Sequence, residues 1–190
     1  MKIFRHFFIF LLSYLCVFSS LSVCSSASAD NVVAETLTGK WAYIHDPDTP
    51  ALIIKANGKA ELDGKKYTYT NTDEYIEMTD KKGTSEKFRY KFEKDGLYFY
   101  KNCIYVFCGE DEPTDIVGQW KCEDNNWSFE FTANGTFNED GFFPGYYSLN
   151  QDSSEFTLIY NDHFEDTTCY YSIEGNELHV SYPWLMVRIK

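Results

Sequence analysis

Residues 127–136 have the sequence Trp-Ser-Phe-Glu-Phe-Thr-Ala-Asn-Gly-Thr, in which aromatic and polar side chains alternate up to an Asn-Gly pair. Alternation with a period of two places the aromatic side chains on one face of a strand and the polar ones on the other. Asn-Gly accepts the positive φ angles that a tight hairpin requires. The segment therefore predicts a half-buried antiparallel strand that ends in a hairpin turn.

The same pattern recurs along the chain, and no stretch has a convincing helical period. Residues 67–70 and 88–93 alternate in this way, and Asn57-Gly58 and Asp95-Gly96 are further turn signals. We predict about seven or eight short strands in each half of the chain. They begin near Trp41, Leu52, Ala60, Tyr67, Ile76, Phe88, Leu97 and Ile104, and near Trp120, Trp127, Thr136, Tyr146, Phe156, Cys169, Leu178 and Leu185. An antiparallel meander of this length avoids exposed edges by closing into a barrel, and a two-sheet β-sandwich is the alternative.

Three segments of the first half have counterparts in the second half, in the same order and at nearly the same spacing. They are 37–41 with 116–120, 54–59 with 131–136, and 90–97 with 171–178. Because three such matches in series are not expected by chance, the sequence predicts an internal repeat. The first unit covers 37–108, the acidic stretch 109–115 is a linker, and the second unit covers 116–190.

Gly39-Lys40-Trp41 and Gly118-Gln119-Trp120, each followed by an Asn-Gly turn, carry a family resemblance. The chain resembles the lipocalins (calycins), and more closely the short lipocalin-like domains of exported bacterial proteins. The resemblance implies an all-β fold of two tandem small antiparallel meander barrels. It also implies that an Arg of the last strand covers the first-strand Trp. Arg188 is placed to do this for Trp120, residues 104–107 contain no such Arg, and a solvent-facing Arg188 is the alternative.

Larger lipocalins carry small apolar molecules, but each unit here has only about 75 residues, and large inward side chains fill a small barrel. We therefore expect a packed core without a ligand cavity. The side chains predicted to point inward in the second unit are Trp120, Trp127, Phe129, Phe131, Tyr147, Leu149, Phe156, Leu158, Tyr171, Ile173, Leu178 and Val180.

The first 29 residues have the three parts of a secretory signal peptide. Lys2 and Arg5 precede an apolar run over 7–23, and Ala27-Ser28-Ala29 provides a cleavage site after Ala29. A retained membrane anchor is the alternative, although the run is near the lower length limit for a spanning helix. Leu21-Ser22-Val23-Cys24 resembles a bacterial lipobox with a lipid anchor at Cys24, but Val23 departs from that pattern. We expect a secreted or cell-surface protein whose mature chain does not span the membrane.

The charge balance excludes nucleic acid as a partner. The chain has 17 basic and 29 acidic residues, and only two of the basic and none of the acidic ones lie in residues 1–29, which leaves 15 basic residues and a net charge of −14. Such a surface repels phosphate backbones. No nucleophile stands beside a recognisable base motif, so we expect a monomeric, non-enzymatic binding or interaction protein without cofactor or metal. Its partner would be a protein, a glycan or a small apolar ligand. The alternatives are a structural cell-envelope protein and a hydrolase that uses Asp162, Glu165 and Asp166.

Four cysteines remain after residues 1–29. Cys122 and Cys169 face inward by alternation and replace the bulky Tyr43 and Phe88 of the first unit. They are candidates for a disulfide in an exported protein, and a pair of buried free thiols is the alternative. Cys103 and Cys108 could pair only if the chain turned between them. No Cys-x-x-Cys spacing points to a zinc site.

Several aromatic residues fall on a loop flanked by Gly and Pro. Phe142, Phe143 and Tyr146 form either a recognition loop or, together with Trp184, a plug for one barrel end, and we expect the plug. His45 and His163 lie in polar segments, where we expect solvated loops.

Overall fold

The fold is an antiparallel all-β arrangement, described here from a computed structural model that covers residues 37–150, 152–162 and 164–189. The predicted signal peptide, its cleavage site after Ala29 and the candidate lipid-anchor residue Cys24 lie outside the described residues, as does His163. In the part of the chain that the structure describes, no helix is both long and apolar enough to cross a bilayer.

Fourteen strands follow one another along the described chain. They are β1 (Gly39–Tyr43), β2 (Leu52–Lys55), β3 (Lys59–Leu62), β4 (Lys65–Asn71), β5 (Tyr75–Thr79), β6 (Ser85–Glu93), β7 (Gly96–Phe107), β8 (Gly118–Lys121), β9 (Ser128–Phe131), β10 (Thr136–Glu139), β11 (Phe143–Asn150), β12 (Glu155–Tyr160), β13 (Thr167–Glu174) and β14 (Glu177–Arg188). We call residues 37–107 the first half and residues 116–189 the second half.

The strands form one closed antiparallel ring. Each strand pairs with the next one along the chain, and β1 pairs with β14 to close the ring. One further pairing crosses it, because β7 and β14 lie side by side over ten residue pairs, from Leu97 opposite Met186 to Val106 opposite Glu177. A two-stranded ribbon of β7 and β14 therefore runs through the middle of the molecule.

Because β7 and β14 are long, each of them pairs with strands of both halves. The start of β7 pairs with β6 and its end pairs with β8. The start of β14 likewise pairs with β13, and its end pairs with β1. The last strand of the chain thus completes the strand set of the first half, and the last strand of the first half borders the second. Pro183 lies between the portion of β14 that pairs with β13 and the portion that pairs with β1. On that side of β14 no strand is paired with Pro183, so a proline without an N–H group is tolerated there.

The prediction of separate strands at Leu97 and Ile104, and at Leu178 and Leu185, is wrong in this respect. Each pair belongs to one twelve-residue strand. No glycine-containing turn interrupts either run, and alternation alone does not mark where a strand changes its neighbour.

Buried apolar side chains form two separate clusters. The first contains residues of the first half together with Met186 of β14, and the second contains residues of the second half together with Tyr105 of β7. The members of the first are Leu37, Trp41, Ala51, Leu52, Ile54, Ala60, Leu62, Ile76, Met78, Phe88, Tyr90, Leu97, Phe99 and Met186. The members of the second are Tyr105, Ile116, Trp120, Cys122, Phe129, Phe131, Phe137, Phe156, Leu158, Cys169, Leu178 and Val180.

Two residues of the predicted inward set are not inside. Trp127 is 41% exposed and Leu149 is 38% exposed, whereas Phe129, Phe131 and Phe156 are at most 1% exposed. Trp127 precedes the first residue of β9, so the alternation that fixes the direction of Phe129 does not extend to it.

Arg188 covers Trp41 and not Trp120. Its guanidinium carbon lies 4.4 Å from the centre of the Trp41 ring, and its Nη1 donates to the Thr38 carbonyl at 2.8 Å. The predicted partner was wrong because the end of β14 pairs with β1, with Arg188 opposite Trp41. Trp120 is covered instead by Phe107, with ring centres 5.0 Å apart.

The glycines of the two Gly-x-Trp motifs make room for these covering groups. A Cβ atom on Gly39 would lie 2.6 Å from Nη1 of Arg188, and one on Gly118 would collide with the Phe107 ring. Both glycines also have positive φ angles, 146° and 136°. Glycine is the residue that accepts both the conformation and the close approach.

Candidate functional site

A cleft of about 590 Å³ opens at one end of the second half. Its walls come from the middle of the β7–β14 ribbon, from the connections between β8 and β9, β10 and β11, and β12 and β13, and from the adjoining ends of β10, β11, β12 and β13. The lining residues are Lys101, Asn102, Cys103, Tyr105, Asn125, Trp127, Glu139, Asp140, Phe143, Tyr160, Phe164, Glu165, Thr167, Tyr182 and Trp184. The volume lies within the usual range for sites that bind small molecules.

Aromatic side chains that remain in contact with solvent form the rim of the cleft. Trp127 is 41% exposed, Phe143 is 38% exposed and Phe164 is 55% exposed. Phe164 packs edge-on against Phe143, with ring centres 5.4 Å apart. The ring centres of Trp184 and Tyr182 are 6.2 Å apart. Apolar side chains gathered at an open cleft, rather than scattered singly, mark a recognition surface.

A carboxylate and two phenols form a hydrogen-bonded group deeper in the cleft. The Tyr160 hydroxyl donates to Oε2 of Glu139 at 2.6 Å, and it lies 3.3 Å from the hydroxyl of Tyr182. Burial raises the pKa of Glu139, and the hydrogen bond from Tyr160 opposes this only in part. Burial, followed by the nearby Glu139 charge, raises the pKa of Tyr160, so this phenol stays protonated and remains a donor.

Glu139 occupies a position that is apolar in the first half. Extending the alignment of 54–59 with 131–136 by three residues places Leu62 opposite Glu139. Leu62 is only 6% exposed and belongs to the first buried cluster. Each of the two residues precedes an Asp-Gly turn with positive φ at both positions: Asp63-Gly64 (47° and 79°) and Asp140-Gly141 (54° and 74°). The backbone is therefore alike at the two places, and the difference is a carboxylate in place of a core leucine.

The one basic residue among the lining residues is already paired. Lys101 Nζ lies 2.8 Å from Oδ2 of Asp63 and donates to the Tyr43 hydroxyl at 3.1 Å. Burial acts to lower the pKa of Lys101, but these two partners outweigh it and the pKa is raised. Asp140 accepts a bond from the Ser128 backbone N–H at 2.7 Å. With Lys101 neutralised by Asp63, the carboxylates Glu139, Asp140 and Glu165 leave the cleft negatively charged.

One thiol, that of Cys103, lines the cleft, and the four thiols have an arrangement that the sequence did not predict. Cys103, Cys108, Cys122 and Cys169 are all free, so the candidate disulfide between Cys122 and Cys169 is not formed. Cys122 and Cys169 are both buried, but the Cys122 Sγ lies 3.2 Å from the Sγ of Cys103. Cys169 sits opposite Phe156 in the ladder between β12 and β13. Burial, together with Cys122, raises the pKa of the Cys103 thiol to about 12.

The remaining sequence candidates are distributed differently from the expectation. Phe142 is 80% exposed and Tyr146 is 57% exposed, so these residues plug nothing, and of the loop aromatics only Phe143 lines the cleft. Of the acidic trio Asp162, Glu165 and Asp166, only Glu165 reaches the cleft. His45 is exposed and stacks on Tyr43, with ring centres 5.5 Å apart.

Sequence reasoning missed Glu139, Tyr160 and Tyr182 as site residues. The signal that could have found Glu139 is its alignment with Leu62, since a carboxylate that aligns with a buried leucine needs an explanation. Tyr160 and Tyr182 have no such mark, because tyrosine is common on both faces of these strands. Within the described residues, no group of three or more His, Cys, Asp or Glu side chains is placed to hold a metal ion.

The comparisons with known proteins gave no match to a family model, to a curated protein or to a solved structure.

Proposed function

We propose that this chain is an exported binding protein, built from two lipocalin-like β units, whose cleft in the second half binds a small ring-bearing organic cation. The observation that carries the proposal is the combination of exposed aromatic side chains with the Glu139 carboxylate in one solvent-open cleft of about 590 Å³. Export is supported by the signal-peptide pattern of residues 1–29.

The chemistry of the cleft favours a cation. The faces of Trp and Tyr rings attract positive charge, by up to about 2 kcal/mol where water is excluded. A carboxylate adds a charge-assisted hydrogen bond to an ammonium group. Lys101, which could repel a cation, is held by Asp63 at 2.8 Å. An apolar ring would lie between Trp127, Phe143 and Trp184, with the ammonium group directed toward Glu139.

Binding is favoured over covalent catalysis by the protonation states of the groups in the cleft. A nucleophilic thiol needs a lowered pKa, whereas burial raises the pKa of Cys103. The phenols of Tyr105 and Tyr182 also have raised pKa values because of burial. These groups stay protonated near neutral pH, where they serve as hydrogen-bond donors.

The proposal of two related units is supported by matching hydrogen bonds. Trp41 Nε1 donates to the Leu37 carbonyl at 2.9 Å, and Trp120 Nε1 donates to the Ile116 carbonyl at 2.8 Å. The Tyr69 hydroxyl donates to the Lys55 carbonyl at 3.0 Å, and the Tyr147 hydroxyl donates to the Thr132 carbonyl at 2.9 Å. The two separate apolar clusters are a further argument for one small barrel around each.

Titration calorimetry with three probes of similar shape tests the ligand class. The probes are 2-phenylethylammonium, its neutral analogue 2-phenylethanol, and the anion 3-phenylpropionate. We expect the cation to bind about tenfold or more tightly than the neutral probe, and the anion to bind most weakly. Glu139→Gln should remove the preference for the cation. The matched control Glu174→Gln makes the same charge change at the exposed last residue of β13, and it should leave the preference unchanged.

Two results would count against the proposal. Equal affinity for the cation and the neutral probe would show an apolar cleft without charge selection. No binding of any of the three probes, together with capture of a glycan or a protein by the same material, would remove small-ligand binding altogether. Export is tested separately, by the mass of the protein released from cells, which should correspond to a chain beginning at Asp30.

A further inference from the structure

Two cysteines meet at the wall of the cleft, one in a strand and one directly after a strand. Cys103 lies in the middle of β7, and Cys122 follows the last residue of β8. In the β7–β8 ladder Val106 is opposite Lys121, so continuing this register places Cys122 opposite Tyr105. Cys103 is then the diagonal neighbour of Cys122 on the same face, a position within reach of side-chain contact. Their sulfur atoms are 3.2 Å apart.

We propose that Cys103 and Cys122 form a disulfide when the protein meets an oxidising compartment, and that Cys103 is the sulfur that reacts first. A disulfide has an S–S distance of about 2.05 Å, so the sulfurs need to approach by only about 1 Å. Cys103 lines the cleft and is partly exposed, whereas Cys122 is 2% exposed. An oxidant can therefore reach Cys103 through the cleft but cannot reach Cys122 directly.

The reaction is a thiol–disulfide exchange with a small disulfide such as glutathione disulfide, or with the disulfide of a thiol oxidoreductase. The Cys103 thiolate attacks one sulfur of the oxidant, whose S–S bond breaks and releases a first thiol. The Cys122 thiolate then attacks the Cys103 sulfur of the mixed disulfide and displaces the second thiol. The two cysteines lose two electrons and two protons, and the oxidant is reduced to two thiols.

The surroundings of the other two thiols do not favour this reaction. Cys169 is 0% exposed within the second apolar cluster, opposite Phe156. Cys108 is exposed just after β7, with its sulfur directed to the Val106 carbonyl at 3.9 Å. Among the described residues, neither has another sulfur at the separation seen between Cys103 and Cys122.

The bond would anchor one wall of the cleft. Cys122 begins the connection from β8 to β9, which carries the lining residues Asn125 and Trp127. Linking it to the central ribbon through Cys103 closes a loop of about 20 residues, and a loop of this length restricts the unfolded chain substantially. The disulfide would thus stabilise the second half and hold the base of the loop that presents Trp127.

The test uses the full secreted protein, reduced and then incubated with glutathione disulfide at several pH values between 7 and 9. After free thiols are blocked by alkylation, peptide mapping by mass spectrometry should show a Cys103–Cys122 link. Burial raises the pKa of Cys103 to about 12, so the rate should rise about tenfold per pH unit in this range. Oxidation should raise the thermal midpoint by about 5–10 °C.

Matched variants separate this bond from other pairings. Cys103→Ser and Cys122→Ser should each abolish the link and the thermal shift, whereas Cys108→Ser should leave both unchanged. A Cys122–Cys169 or Cys103–Cys108 bond in the wild-type map would overturn the proposal. So would a dimer linked through Cys108 with Cys103 and Cys122 still alkylated. The wild-type map does not depend on the folding of any variant, and it does not depend on whether the cleft binds a cation.

Discussion

The two halves of this chain contain segments that align in sequence, but the side chains at the aligned ends differ. In the first half Leu62 is buried, and Tyr43 is hydrogen-bonded to Asp63 at 3.0 Å. In the second half the aligned positions hold Glu139 and Cys122, and a cleft of about 590 Å³ lies beside them. Since the turns that follow Leu62 and Glu139 have the same conformation, the contrast arises from side chains. This polar residue in place of a core leucine is the contrast on which the proposed binding cleft of the second half rests.

The largest effect is expected from the removal of a core tryptophan. Trp120 is 0% exposed and packs against Phe107. Trp120→Ala should lower the free energy of unfolding by about 3–5 kcal/mol, because it removes the buried area and leaves a cavity. Because β7 and β14 each pair with strands of both halves, the variant should still unfold in one transition. Denaturant unfolding followed by circular dichroism and by fluorescence checks this, and two separate transitions would argue against coupling through the ribbon.

A second effect concerns Glu139 and has a defined dependence on pH. Its folded-state pKa is raised by burial, so the folded protein holds this proton more tightly than the unfolded chain does. The resulting contribution to stability is present below the ordinary glutamate pKa and is lost as the pH rises through the folded value. Glu139→Gln should therefore be more stable than wild type at pH 7, by about 0.5–2 kcal/mol.

Unfolding curves between pH 4 and pH 7 measure this difference. The Gln variant should lack the decline in stability that Glu139 causes as the pH rises, while Glu174→Gln should keep it. A Gln variant that is less stable than wild type at pH 7 would show that the Tyr160–Glu139 bond outweighs the burial of the charge.

A third, smaller effect concerns Arg188, the residue that covers Trp41. Arg188 is exposed and lies over the Trp41 ring at 4.4 Å. Arg188→Ala should lower the free energy of unfolding by about 0.5–1 kcal/mol through the lost cation–π contact. Arg188→Lys should restore only part of it, because lysine lacks the planar guanidinium. Thermal unfolding measures both, and equal stability of the Ala variant and wild type would show that Arg188 contributes nothing over Trp41.

The smallest effect on stability is expected from replacing two adjacent phenylalanines, of which only one lines the cleft. Phe143 lines the cleft, whereas Phe142 is 80% exposed and lies outside it. Both Phe142→Ala and Phe143→Ala should change the free energy of unfolding by less than about 0.5–1 kcal/mol. Only Phe143→Ala should weaken the binding of 2-phenylethylammonium, by about threefold to tenfold. Equal losses in the two variants would place the ligand on the outer loop.

The sequence predicted the strand pattern because alternation and turn chemistry are local. The segment at 127–136 specifies its strand and turn without reference to the rest of the chain, and β9 and β10 flank its Asn-Gly pair. Strand partners are not local. Nothing in residues 185–189 distinguishes pairing with β1 from pairing with β8, so Arg188 was assigned to the wrong tryptophan. The same limit applies to Cys122, whose neighbour Cys103 belongs to a strand that borders both halves.

The candidate site was hidden from sequence reasoning for a related reason. Its residues come from six strands (β7, β10, β11, β12, β13 and β14) and three connections, and no motif joins them. Trp127 was assigned to the interior by extending the alternation one residue beyond the strand. Glu139 alone was detectable, through the contrast with Leu62.

The four tryptophans offer the most direct test of the ligand-binding cleft. Trp41 and Trp120 are buried, with their Nε1–H groups bonded to carbonyls, whereas Trp127 and Trp184 line the cleft. In ¹⁵N-labelled protein, the four indole N–H signals can be followed while 2-phenylethylammonium is added. We predict that the signals of Trp127 and Trp184 shift with saturation and that those of Trp41 and Trp120 stay in place. Shifts at Trp41 or Trp120, or no saturable shift at Trp127 and Trp184, would contradict the proposed site.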